Sequence, residues 1–120
     1  MQTIGEDAFS TVVLTSAVPV LVHFWAPWCG LCRLVEPLVD HALKASSLPL
    51  RVVGINADES LKLASQYRLR VLPTLLLFQN GEVVGRLEGF HDRQDIQRRL
   101  THLLHQVTAI SSPQLADRHR

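Results

Sequence analysis

A chain of 120 residues with 47% apolar content can bury one hydrophobic core and is too short for several. Twelve basic and eleven acidic residues leave a net charge of +1, and the ten arginines are scattered, with Arg68/Arg70 and Arg98-Arg99 the densest groupings. That is the pattern of a solvated surface, and it gives no reason to expect nucleic acid as a partner.

No stretch reaches the roughly 18 apolar residues of a membrane span. Met1 to Asp7 lacks the basic-then-apolar order of a secretory signal. The expected setting is therefore cytoplasmic, where a close cysteine pair reads as catalytic or metal-binding rather than as a static staple.

Residues 2–4 read as a short edge strand, followed by a helix from Glu6 to about Leu14, whose inward face is Ala8, Phe9, Val12 and Val13. Pro19 opens Val20 to Trp25, a run apolar at nearly every position and so a strand covered on both faces, although His23 interrupts it. Ala26-Pro27-Trp28 connects it to a helix from about Cys29 to Ala45, with Pro37 inside and a stripe of Leu34, Val35, Leu38, Val39, Ala42 and Leu43. Leu50 to Asn56 is the next buried strand. Glu59 to Tyr67 is a short helix that Asp58 can cap.

Thr74 to Phe78 meets Asn80-Gly81, a two-residue hairpin signal, and Glu82 to Glu88 returns antiparallel. Asp92 can cap a last helix with the stripe Ile96, Leu100, Leu103, Leu104 and Val107. The order β-α-β-α-β-α-β-β-α is that of an α/β fold, a mixed sheet with helices on both faces. One domain spans residues 1–108, and the polar segment 109–120, with Pro113, is expected to fray.

Cys29 and Cys32, the only cysteines, stand at i and i+3 on what should be the first turn of a helix, close enough for a disulfide. Cys29 would lie at the helix start, where free N–H groups and the positive end of the dipole favour a thiolate, with Cys32 a turn deeper and shielded. That asymmetry suits dithiol exchange, in which one thiolate attacks a substrate disulfide and the second thiol resolves the mixed disulfide. A structural zinc site wants four ligands, and no second pair exists; His102 and His105 suit a solvent-facing position on the last helix better than a ligand set. An inert disulfide closing so short a loop would add little stability. His41, His91 and His119 read as helix-surface, loop and tail residues.

The segment Phe24 to Arg33 closely resembles the active-site segment of thioredoxins. Pro37, Asn56-Ala57-Asp58, Leu72-Pro73-Thr74, Asn80-Gly81-Glu82 and Gly89 match the family in order and approximate spacing from about Thr3 to Leu104. The resemblance implies the thioredoxin fold, with Cys29 as nucleophile and Cys32 as resolving thiol. It also implies a cis Pro73 facing the disulfide and a Leu72 backbone that pairs with an extended substrate. Trp28, Gly30, Leu31, Leu72, Pro73, Gly89 and Phe90 would line the docking groove.

Three departures from the family pattern bear on tuning. Leu31 replaces the usual proline between the cysteines, freeing φ and restoring a backbone donor, which would make the protein slightly more oxidising; a shift of about 30 mV needs only about 1.4 kcal/mol. His23 replaces a buried aspartate, and Gly54 the lysine that partners it. A neutral imidazole could accept the proton of the resolving thiol; alternatively it is a core histidine bonded to backbone or water, with Gly54 making room. Glu88, beside Gly89, would select against acidic substrates if it faces the groove; the alternative is that it faces solvent.

The expected function is reduction of protein disulfides by a monomer that a thioredoxin reductase re-reduces, with neither metal nor bound cofactor. A more oxidising disulfide oxidase or isomerase is the alternative within this chemistry, and a binding module with incidental redox activity the alternative outside it.

Overall fold

A computed structural model describes residues 1–46 and 48–110. Five strands form one mixed sheet in the order β1-β3-β2-β4-β5. At its centre β2 (Val20–Trp25) pairs parallel with β3 (Arg51–Asn56) and antiparallel with β4 (Thr74–Gln79). Both faces of β2 and β4 are covered, which is why their sequences run apolar instead of alternating.

The short β1 (Gln2–Thr3) edges the sheet beside β3, and β5 (Glu82–Leu87) edges it beside β4. Between β4 and β5, Asn80 and Gly81 have φ of 54° and 79°, the double positive φ that a type I′ turn demands and that these residue types tolerate.

The pleat of β2 and β4 sends alternate side chains into two cores. Leu21, Leu75 and Leu77 pack with Leu38 and Val39 of α1 (Cys32–Ser46) and with Ile96, Leu100 and Leu104 of α3 (Arg93–Ile110). On the other face Val22, Phe24, Leu76 and Phe78 pack against Phe9, Val13 and Leu63, the last from α2 (Leu61–Gln66). The rings of Phe9, Tyr67 and Phe78 meet there at centroid distances of 5.4–5.8 Å, tilted or edge-on.

The expected first helix is instead a 3₁₀ turn at Glu6–Ala8 followed by a wide turn over Ser10–Leu14, closed by Thr15 N–H to the Ser10 carbonyl at 3.2 Å. β-branched Thr11, Val12 and Val13 disfavour a regular helix here, and burial of Phe9 and Val13 holds the segment down anyway. Glu6 leaves its own segment and accepts Leu63 N–H at 2.9 Å, completing the start of α2.

Asp58 does not cap α2. Asn56 caps the 3₁₀ turn Ala57–Glu59 by accepting Asp58 N–H at 2.9 Å, and the Asp58 carboxylate turns to the active site. Asp92 does cap α3, accepting Asp95 N–H at 2.9 Å, while Asp95 accepts His91 N–H at 3.0 Å. The five expected stripe residues of α3 are all buried. The helix continues to Ile110, past the expected start of the tail; the rest of that tail, 111–120 with His119, lies outside the described residues.

α2 ends in a Schellman arrangement, with Leu69 N–H to the Ala64 carbonyl at 2.9 Å and Arg68 N–H to Ser65 at 3.2 Å. The left-handed position of that motif usually belongs to glycine. Here Arg68 occupies it with φ of 52°.

Candidate active site

The strand directions bring the C-terminal ends of β2, β3 and β5 and the start of β4 to one end of the sheet. Every expected site residue except His23 follows or precedes one of those ends. After β2, a turn closed by Cys29 N–H to the Ala26 carbonyl at 3.1 Å sets Cys29 ahead of the helix. α1 therefore begins at Cys32 and not at Cys29.

Cys29 and Cys32 form a disulfide with Cα atoms 5.3 Å apart, and Cys32 N–H points at Cys29 Sγ from 3.2 Å. Cys29 thus holds an N-cap-like position, with a backbone donor aimed at its sulfur. The expected contrast in exposure is absent, since the two residues are 5% and 6% accessible. The turn before Cys29 tucks it down against the sheet end as deeply as the helix buries Cys32.

Trp28 is 68% exposed and so is not core packing; its Nε1 donates to Asp58 at 2.9 Å, tying the connector to the end of β3. Gly30 is exposed, and Leu31 packs against the α1/α3 core. The Leu72–Pro73 bond is cis, with Leu72 half-buried and Pro73 buried, directly before Thr74, which is registered with Phe24 of β2. Gly89 is exposed with φ of 69°, a conformation that favours glycine.

Phe90 departs from the groove assignment. Its ring is buried in the α1/α3 core beneath the Arg99 guanidinium, 4.7 Å from the ring centroid.

Behind the disulfide lies a cavity of about 260 Å³ whose walls include His23, Cys32, Glu36, Arg33, Trp25 and Met1. His23 is 4% exposed, and its Nε2 is buried without a hydrogen-bond partner among the described residues. Burial pushes the imidazole down to about 4, only partly opposed by the Glu36 carboxylate. The ring is therefore neutral at physiological pH.

Glu36, one turn after Cys32, also pairs with the Met1 amino group at 2.5 Å. Gly54 is registered with His23, but a Cβ there would meet Trp25 Nε1 at 3.1 Å and Met1 Sδ at 3.3 Å. The glycine makes room for the indole and Met1, not for the imidazole.

Glu88 does not present a free acid to the groove. Arg86 hydrogen-bonds its carboxylate and Arg70 approaches it at 3.5 Å, so the Arg86 bond foremost holds the carboxyl below its ordinary range. Glu36, Asp58 and Arg86 are the site-side residues that sequence reading missed. Glu36 could have been found from its i+4 spacing to Cys32; Arg86 left no local signal. His102 and His105 are exposed on α3, and no group of three His, Cys, Asp or Glu side chains is placed to hold a metal among the described residues.

A two-residue-spaced disulfide that follows the end of a central strand, with a charge-stabilising N–H aimed at one sulfur, defines a dithiol–disulfide oxidoreductase. The sequence model of the thioredoxin family matches residues 1–102. Over 86 residues the chain is 45% identical to thioredoxin 1 of Synechococcus elongatus, spanning 72% of this chain and 80% of that protein. It is 47% identical over 79 residues to the chloroplastic M-type thioredoxin of Chlamydomonas reinhardtii, spanning 66% and 56% of the two chains. With the thioredoxin of Porphyra purpurea the identity is 37% over 97 residues, spanning 81% and 91%. The chain belongs to the thioredoxin family, and its activity is dithiol–disulfide exchange with disulfide-containing targets. No helix among the described residues is long and apolar enough to cross a membrane.

Proposed function

We propose that this thioredoxin works as a reductant of protein disulfides, with Cys29 as the attacking thiolate and Cys32 as the resolving thiol. The observation that carries the assignment is the Cys32 N–H aimed at Cys29 Sγ from 3.2 Å. A donor so placed stabilises negative charge on Cys29 rather than on Cys32.

In the reduced protein the Cys29 thiolate attacks one sulfur of the target disulfide. A mixed disulfide forms and the first target thiolate leaves. Cys32 then loses its proton and attacks Cys29 Sγ. The second target thiolate departs, so two electrons pass to the target as the Cys29–Cys32 bond forms. Held one turn away, Cys32 closes this step at high effective concentration. The target docks across Trp28, Gly30, Leu31, Leu72, Pro73 and Gly89, its extended chain pairing with the Leu72 backbone.

His23 borders the cavity through which Cys32 exchanges its proton. An ordinary thiol titrates near 8.5, so parking that proton on an imidazole at about 4 would cost roughly 6 kcal/mol. His23 thus serves as a neutral wall of the cavity, not as the base that stores the proton. The protein works as a cytoplasmic monomer, without metal or bound cofactor, and a thioredoxin reductase restores the dithiol.

Cys32→Ser should accumulate the mixed disulfide with a target protein, whereas Cys29→Ser should form none; trapping through Cys32 instead would reverse the two roles. Equilibration of the Cys29–Cys32 pair with glutathione checks the direction of electron flow. An equilibrium lying with the dithiol even in oxidising glutathione mixtures would favour the oxidase or isomerase reading that Leu31 raises.

A further inference from the structure

The segment linking α2 to β4, residues 67–73, carries Leu72 and the cis-proline; Tyr67, Leu69 and Leu72 pack it on the core, and one charged side chain grips its backbone from the sheet edge. Arg86 stands in β5, registered with Leu76 of β4, so its backbone is fixed by the sheet. Its guanidinium donates through Nη1 to the Tyr67 carbonyl at 2.7 Å and through Nη2 to the Arg68 carbonyl at 2.9 Å. Nε donates to the Glu88 carboxylate, which also faces Arg70 at 3.5 Å. One planar fork thus binds the two carbonyls that follow α2 on one side and an acid next to Gly89 on the other.

The bound segment needs such a hold. Arg68 sits in the left-handed region, which a side chain with a Cβ resists. Only three residues then separate it from Leu72. The Schellman bonds close this turn, and the fork adds a hold on the carbonyls to either side of the Arg68 φ, ψ pair, where the chain turns toward Leu72.

We propose that Arg86 is a positioning residue for target docking, locking the 67–73 segment so that the Leu72 backbone stays ready to pair with the substrate chain. The proposal rests on the docking role given above to Leu72 and Pro73. Arg86 touches neither cysteine, so it acts on how targets bind and not on the thiol chemistry. Lysine cannot replace it, because one ammonium has no fork to span two carbonyls and a carboxylate.

The test uses steady-state reduction of insulin with dithiothreitol as electron donor, and single-turnover reduction of a small aromatic disulfide, dithiobis-nitrobenzoate, by the pre-reduced protein freed of dithiothreitol. If loss of the fork leaves about one fifth of the molecules competent to dock, KM for insulin rises about fivefold. Arg86→Gln and Arg86→Lys should both show that rise. Their kcat, their rate on the small disulfide and their Cys29–Cys32 equilibrium with glutathione should stay within about twofold of the parent. Glu88→Gln, which weakens only the Nε arm, should raise KM about twofold.

An unchanged insulin KM in Arg86→Gln overturns the proposal, as does a parallel fall in the small-disulfide rate, which would mark general damage. Trp28→Ala separates the proposal from the reading beneath it. If Trp28→Ala raises the insulin KM while Arg86→Gln does not, docking stands and the Arg86 role falls. If neither variant changes KM, the docking face itself is misassigned. Should Arg86→Gln not fold, Arg86→Lys and Glu88→Gln decide the same question.

Discussion

Two regions flank the disulfide and handle their ionisable groups in opposite ways. Behind it, His23 is enclosed with one nitrogen unpartnered among the described residues, and burial has driven it neutral. At the front rim, Glu88 is held in its charged form, because Arg86 hydrogen-bonds its carboxylate and Arg70 faces it, while Arg86 also binds two backbone carbonyls. Desolvation without a partner removes charge, whereas pairing preserves it and turns it into geometry. The rear can therefore influence proton traffic at Cys32, and the front can influence where a target chain lies.

The thiols set the scale against which both regions are judged. Cys29→Ser should lower turnover on a protein disulfide by at least about a thousandfold, measured with insulin. Residual turnover near the parent would mean that neither region serves the chemistry assigned to it.

The next effect isolates the rear. His23 titrates at about 4 folded and at about 6.5 unfolded, so between those values the unfolded chain binds the extra proton. Stability should therefore fall as pH drops from 6.5 to 4, by up to about 3 kcal/mol, and this term should vanish above 6.5. Urea unfolding of the parent and His23→Leu across that range checks it. An identical slope in both proteins would show that His23 is not held neutral by the fold.

At the front, the fivefold change in KM expected of Arg86→Gln equals about 1 kcal/mol and should leave the pH dependence of stability untouched. A smaller effect tests the strained turn that Arg86 grips. Arg68→Gly should stabilise the protein by about 0.5–1 kcal/mol in urea, since glycine adopts φ of 52° freely. A loss of stability would mean that the Arg68 side chain contributes more than its backbone conformation costs. The smallest expected effect returns to the rear. His23→Ala should leave the pH profile of insulin reduction between pH 6 and 8 unchanged, and a lost limb there would restore His23 as a base.

Much of the fold was legible because it rests on local pattern. The unbroken apolar runs at Val20–Trp25 and Thr74–Phe78 announced strands covered twice, Asn80-Gly81 announced its turn, and Asp92 announced its cap. The helix expected at Glu6 to Leu14 failed because its β-branched residues are held by the core and not by helical propensity. Expecting Asp58 to cap α2 failed because two nearby acceptors competed: Asn56 capped the preceding turn, and Glu6 served α2 from 57 positions away.

The sequence by itself determined the reaction, because two cysteines spaced i, i+3 after a buried strand admit few other uses. It also determined the layer order, since strand and helix periods arise from backbone sterics that each segment carries with it. Only the tertiary structure decided that Cys29 is as buried as Cys32, that His23 is neutral, that Phe90 joins the α1/α3 core, and that Arg86 binds the Tyr67 and Arg68 carbonyls. Those properties depend on desolvation and on charge pairing, and both are made by neighbours that the chain brings together only when it folds.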